Sequence, residues 1–383
     1  MKPIYLDNAA TTKLDKEVLK SMQPYLKEFY GNPSSAHIKG QETKNAIEKA
    51  RKIIANSINA KSEEIYFTSG GTESNNWTMK GIFFKSFPKK NQIITTKIEH
   101  DSIIKTCKWL EKIGAKVIFL NVNREGFIDL KELEKSITKK TMLVSIMHAN
   151  NEIGTIQNIE EIGKICKKKG VIFHTDAAQS FTKIPLDVKN MNLDLVTLNA
   201  HKIYGPKGIG ALFIKEGTLI ESLLHGGGHE RNLRSGTENV PGIVGFGKAV
   251  ELSKKIDCKK ISKLRNFLIE EIIGKIPNSK LNGPKENRLP NNANIFFENT
   301  EGEAVGAYLE NYRIYVSTGS ACMSNTGAES HVLKAIRLSP KEQDSSIRFT
   351  LGKDTTEKEI KYVVKTLLKI IEKMRKAKEI KND

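Results

Sequence analysis

The sequence predicts an α/β protein: a large unit whose mainly parallel sheet is covered by helices, joined to a smaller α+β unit. Three observations predict it. Short apolar runs alternate with amphipathic stretches of helical period from about residue 64 to residue 214, and strands that alternate with helices form parallel sheets buried on both faces. Polar clusters holding His, Asp and Lys come directly after those runs, where open α/β sheets place their ligands. Beyond about residue 253 the rhythm stops, and lysine-rich helical stretches give way to a looser mixture.

The elements follow in order. Tyr5 and Leu6 open an apolar start that runs into small polar residues and a loop through Thr12. Residues 17–27 have helical period, and 29–37 form a loop rich in Gly, Pro and Ser that contains His37. A long amphipathic helix is predicted over 40–58. Strands follow at 64–68, 92–96, 116–120, 141–147, 171–175, 195–198 and 211–214. The helices between them cover 73–84, 102–113, 130–137 and 159–168. The amphipathic stretch 357–378 is a packing helix. We place the large unit at 15–253 and the small unit at 1–14 and 254–383, the latter carrying Cys322.

A chain of 383 residues can bury a sizeable core. No apolar run reaches membrane-spanning length and the start has no secretory core, so a cytoplasmic location away from membranes is expected. Four cysteines without paired spacing fit a reducing compartment. The net charge of +18 invites a nucleic-acid reading. The lysines are spread along the whole chain, often beside Glu on helix faces, and no RNA-binding motif accompanies them. A solvated lysine-rich surface, with no direct nucleic-acid binding, is the reading that follows.

The polar clusters suggest one chemistry. Lys202 ends an apolar run and is followed by Gly205, Pro206, Gly208 and Gly210, which force a turn. A lysine there can face a cleft and attack an aldehyde. Gly70, Gly71 and Thr72 follow a strand and open a helix, an arrangement suited to one phosphate; no Walker lysine follows. His100 lies just past a strand and can stack on a flat ring or relay a proton. Asp176 ends another strand, where a carboxylate can keep a heteroaromatic nitrogen protonated, and Gln179 can bond a ring hydroxyl. Taken singly, each has an ordinary structural explanation. Together, in sheet order, they form a site for pyridoxal 5'-phosphate; no metal is expected.

Several segments carry a resemblance. They are Tyr5 through Thr12, Gly31 through His37, Thr72 through Asn76, His148 through Gly154, Gly226 through Glu230, Arg234 through Thr237, and Ser317 through Cys322. Together they resemble the cysteine desulfurases of the fold-type I, class V aminotransferase group, over about residues 5–353. The resemblance implies that Lys202 holds the cofactor covalently, Asp176 pairs with its ring nitrogen, Gln179 with its hydroxyl, and His100 stacks on the ring. Gly71, Thr72 and His201 would hold the phosphate, with Thr237 reaching it across a homodimer interface. Asn151 would contact cofactor and substrate, and Arg348, with its planar fork, would take the substrate carboxylate. Asn199 stands where the family usually has a phosphate-binding serine; an amide still donates, so altered contacts rather than a lost cofactor are expected.

Cys322 would be the catalytic thiol, set among small polar residues suited to a mobile loop that carries sulfur. The other three cysteines read as structural. L-cysteine would become L-alanine, leaving a Cys322 persulfide for an iron–sulfur scaffold protein or a tRNA-thiolation acceptor. Other readings stay open: a class V aminotransferase or lyase using another amino acid, a selenocysteine lyase, or a non-catalytic binding protein resting on the +18 charge.

Overall fold

The computed structural model describes residues 2–318 and 329–382, with side chains as far as Lys378. Cys322 lies outside the described residues. The chain starts with β1 (Ile4–Tyr5), α1 (Lys16–Met22), α2 (Pro24–Lys27) and α3 (Ile38–Ser57). The single helix expected over 17–27 is two, because Pro24 has no N–H to extend α1 and instead opens α2.

Next come β2 (Ile65–Thr68), α4 (Gly71–Ser86), β3 (Gln92–Thr96), α5 (Asp101–Glu111), β4 (Lys116–Leu120) and α6 (Leu130–Ser136). They are followed by β5 (Thr141–Ser145), α7 (Ile159–Lys169), β6 (Ile172–Asp176), β7 (Leu195–Asn199), β8 (Gly210–Ile214) and α8 (Val240–Ser253). These strands make a seven-stranded sheet in the order β2-β8-β7-β6-β5-β3-β4. It is parallel from β4 through β7, as expected of strands joined by helices. Strand β8 is antiparallel to both β7 and β2, since the link from β7 to β8 contains no helix to carry the chain back across the sheet.

Both faces of the sheet are buried. Successive strand residues point to opposite sides, so Ile94, Val144, Val196 and Phe213 join one apolar cluster with α3, α7 and α8. Their neighbours Ile93, Leu143, Leu195 and Leu212 join a second with Trp77, Phe83 and Ile103 of α4 and α5. Burial of each such side chain contributes about 1.5–3 kcal/mol. The sheet is therefore a firm base for the polar loops at its carboxyl end.

The rest of the chain runs through α9 (Cys258–Lys275), β9 (Ser279–Asn282), β10 (Asn292–Phe297), α10 (Gly302–Asn311), β11 (Ile314–Tyr315) and α11 (His331–Ala335). It ends with α12 (Pro340–Asp344), β12 (Ser346–Thr350) and α13 (Glu357–Asn382). An antiparallel sheet, β12-β10-β9, packs with α9 and α13 into a separate apolar cluster that also takes in Ile4 and Leu6. Strand β1 pairs with β11. A smaller cluster unites Ile98, Met147 and Ile153 with Val332, Leu333 and Ile336, fastening α11 against loops of the large sheet. Among the described residues no helix is long and apolar enough to cross a membrane.

Candidate active site

A cavity of about 320 Å³ opens at the carboxyl end of the large sheet. Its walls come from the segments that leave β2, β3, β5, β6 and β7, together with the N-terminal loop and β12. Gly71, Thr72, His100, Asn151, Asp176, Gln179, Asn199, His201, Lys202 and Arg348 all line it. These residues are far apart in the chain, and each ends a strand, follows one or opens the helix after one, apart from Arg348, which lies in the middle of β12.

Lys202 donates from Nζ to the carbonyl of Ala9 and, at 2.7 Å, to that of Ala10. Gln179 Nε2 also donates to the Ala9 carbonyl, at 2.9 Å. The N-terminal loop thus holds the lysine tip beside the glutamine. Asp176 is buried; Oδ1 accepts from the Ala178 N–H at 2.8 Å and Oδ2 from Asn75 Nδ2 at 2.7 Å. The carboxylate therefore both caps a turn and faces the cavity.

Helix α4 begins two residues before its predicted start, and no side chain caps it. Gly70 precedes it with φ +151°, a backbone state that a side chain would strain. The uncapped N–H groups of the first turn are suited to an anion. His201, whose Nδ1 is 3.2 Å from Thr11 Oγ1, has its pKa pushed down to about 4 by burial and by neighbouring lysines. It brings a neutral imidazole to that anion site rather than a charge.

His100 caps α5, with Nδ1 accepting from the Ser102 N–H at 3.2 Å. Burial lowers its pKa; Asp176 opposes that and Lys202 reinforces it. On the far side, Arg348 is buried in β12 and donates to Asp7 Oδ1 at 2.8 Å and to the Asn151 carbonyl at 3.2 Å. Its Nε has no hydrogen-bond partner among the described residues, and neither has Asn199 Oδ1. Buried polar atoms left this way beside a cavity mark positions where a polar ligand would complete the bonding.

Two expected residues stand apart. Thr237 is exposed and does not line the cavity of the single chain. Its loop is anchored through Glu230, which accepts from Arg51 at 2.7 and 2.8 Å, and Arg234, which donates to Glu73 at 2.8 and 3.0 Å. Cys322 lies outside the described residues, but the residues on either side of its segment are tied to the cavity region. Ser317 exchanges backbone hydrogen bonds with Arg348, and Ser330 donates to Glu152 at 2.6 Å. The remaining cysteines do not suit nucleophilic work: burial pushes the Cys107 and Cys166 thiols up to about 12 and raises that of Cys258 as well.

The sequence assigned no role to Asn75, Glu99, Ser102, Glu152 or His331, all of which line the cavity, nor to Asp7. Glu99 is fully buried, and burial pushes its carboxyl up to about 8. It is adjacent to His100, and Asn75 lies three residues after Thr72 on the same helix face, so spacing alone offered a hint of both.

The model of the class V aminotransferase family matches residues 4–363. A protein named cysteine desulfurase IscS from Dictyoglomus turgidum is 50% identical over 375 residues, which cover 97% of this chain and 95% of that one. A solved structure of a NifS-like protein superposes with a TM-score of 0.91 at 40% identity, covering 97% of this chain and all of the other. A second, described as SspA in complex with cysteine, has a TM-score of 0.84 at 39% identity and covers 92% of this chain and all of its own.

Proposed function

We infer that this chain, which belongs to the class V aminotransferase family, is a cysteine desulfurase. The observation that carries the reading is the convergence of Lys202, Asp176, His100, Asn151 and Arg348 on one cavity, in a chain whose relatives carry that name. The cavity's donor set fits pyridoxal 5'-phosphate: an amine, a buried carboxylate, an uncapped helix start and partnerless polar atoms. Lys202 would hold its aldehyde carbon, Asp176 its ring nitrogen, Gln179 its hydroxyl, and His100 its ring face. Gly71, Thr72, Asn199 and His201 would hold its phosphate, with Thr237 of a second copy in a homodimer. Bound there, the cofactor supplies an electron sink that weakens bonds at the substrate α-carbon.

The chain's own residues do the rest. Arg348 and Asn151 bind the carboxylate of L-cysteine. Lys202 removes the α-proton, and His100 handles the proton at sulfur. The Cys322 thiolate attacks the substrate sulfur; an S–S bond forms as the Cβ–S bond breaks, its electron pair stays on the substrate, and a proton taken up there completes L-alanine. The attachment of Ser317 and Ser330 beside the cavity supports that assignment. An iron–sulfur scaffold protein or a tRNA-thiolation acceptor then receives the sulfur, in the cytoplasm. We also take 15–253 and the remainder as two units, which agrees with the separate apolar clusters. Incubation with L-cysteine should yield alanine and protein-bound persulfide in equal amounts during the first turnover; alanine without persulfide would defeat this reading.

Two variants probe single contacts. Arg348→Ala should raise KM for cysteine by about 10–100-fold, the loss of hydrogen bonds to a charged group, with a smaller effect on kcat. An unchanged KM would remove Arg348 from the substrate site. Asn199→Ser should alter cofactor Kd by roughly 2–10-fold, less than the full worth of a hydrogen bond to a charged group because a serine hydroxyl also donates. Identical affinities would show that Asn199 makes no phosphate contact.

A further inference from the structure

We propose that Asn75 and Ser102 are positioning residues that hold His100 in one tautomer, with Nδ1 bare and the proton on Nε2. The inference rests on the reading of His100 as the proton-handling group, and it follows from the direction of four hydrogen bonds. The Asp176 carboxylate can only accept. Asn75 lies 2.7 Å from Asp176 Oδ2, so it must turn its NH2 toward that oxygen; the flipped amide would set two acceptors against each other. The same nitrogen is 2.8 Å from Ser102 Oγ and donates to one of its two lone pairs. Among the described residues His100 Nδ1, 2.8 Å away, is the acceptor within reach of the Ser102 hydroxyl proton, which is therefore directed at it. The Ser102 backbone N–H donates to that same nitrogen at 3.2 Å.

Two donors thus meet at Nδ1, which must be unprotonated, and a neutral imidazole then carries its hydrogen on Nε2. Protonating the ring would force an N–H against the Ser102 N–H, so the network and burial both disfavour the cation. The charged or titratable groups that act on the ring are Asp176, Lys202, Asp101 and His331. Asp176 acts on it through the neutral Asn75 and Ser102 as well as through space. Thr106 steadies the arrangement, its single hydroxyl proton lying between the Ser102 carbonyl at 2.7 Å and Asn76 Oδ1 at 3.0 Å. The consequence is that His100 meets a ligand in the cavity as a neutral donor through Nε2–H, so its part at the substrate sulfur is to donate from Nε2 and not to act there as a base.

The test is a 1H–15N spectrum of imidazole groups in cofactor-free protein labelled at histidine, with His100 assigned by His100→Gln. Wild type should show one tautomer for His100, Nδ1 bare, across neutral pH. Ser102→Ala and Asn75→Ala should lose that single pattern and give mixed tautomers, whereas Ser102→Thr, which keeps the hydroxyl, should retain it. A protonated Nδ1 in wild type overturns the proposal without recourse to any variant. A pattern that survives in both alanine variants also overturns it, since helix capping by the backbone alone would then suffice. In the loaded enzyme Ser102→Ala should lower kcat by up to roughly 10²-fold with KM unchanged. An unmoved kcat beside the expected spectra would leave the tautomer assignment standing and count against His100 as the proton-handling group.

Discussion

Lys202→Ala is expected to lose the yellow absorbance of bound cofactor and to stop alanine release from L-cysteine. The lysine tip is held by the carbonyls of Ala9 and Ala10 at the mouth of a cavity that also presents Asp176 and the open start of α4. Its amine is the group that would both hold the cofactor and move the substrate α-proton. Removing it deletes a proton-transfer group worth about 10²–10⁴-fold on its own, and the covalent attachment with it. Lys202 is half-buried at a cavity, so water can satisfy the two carbonyls and the fold should persist, which circular dichroism would check. If the absorbance survives in the alanine variant, the lysine assignment is wrong.

Cys322→Ser should give the opposite separation: the cofactor absorbance stays and sulfur transfer is lost. None of the three described cysteines can replace it. At pH 7 a thiol raised to about 12, as for Cys107 and Cys166, is thiolate in only about 10⁻⁵ of molecules. Cys258 is likewise raised by burial. Alanine and persulfide formation should therefore fall together, by roughly 10³-fold or more, and mass spectrometry should find no persulfide on the variant. Full turnover in this variant would refute a persulfide route and leave an ordinary lyase as the explanation. Taken with Lys202→Ala, it separates cofactor chemistry from sulfur delivery.

Much of the site was legible because its residues obey a positional rule. Asp176 ends β6, and Lys202 and His100 come shortly after β7 and β3, and apolar runs with abrupt polar endings are visible in a bare sequence. The network behind them was not legible. Spacing after Thr72 places Asn75 on the cavity face of its helix, but not its partners: it meets Ser102, 27 residues away, and Asp176, 101 residues away. Asp7 meets Arg348 across 341 residues. Nothing in the local pattern of either partner announces such a pair. The break between α1 and α2 is marked by Pro24, although the apolar period continues through it.

The order of amino acids by itself determined the strands, the helices, the end of the sheet that carries chemistry and the residue types gathered there. Those features depend on side-chain period and on Gly and Pro, which act over a few neighbouring residues. Only the tertiary structure decided which polar atoms meet: Asp176 with Asn75, Ser102 with His100, Arg348 with Asp7. Hydrogen bonds and desolvation are set by distance through space to within a few tenths of an ångström. That distance is a property of the packed chain and not of any stretch of it.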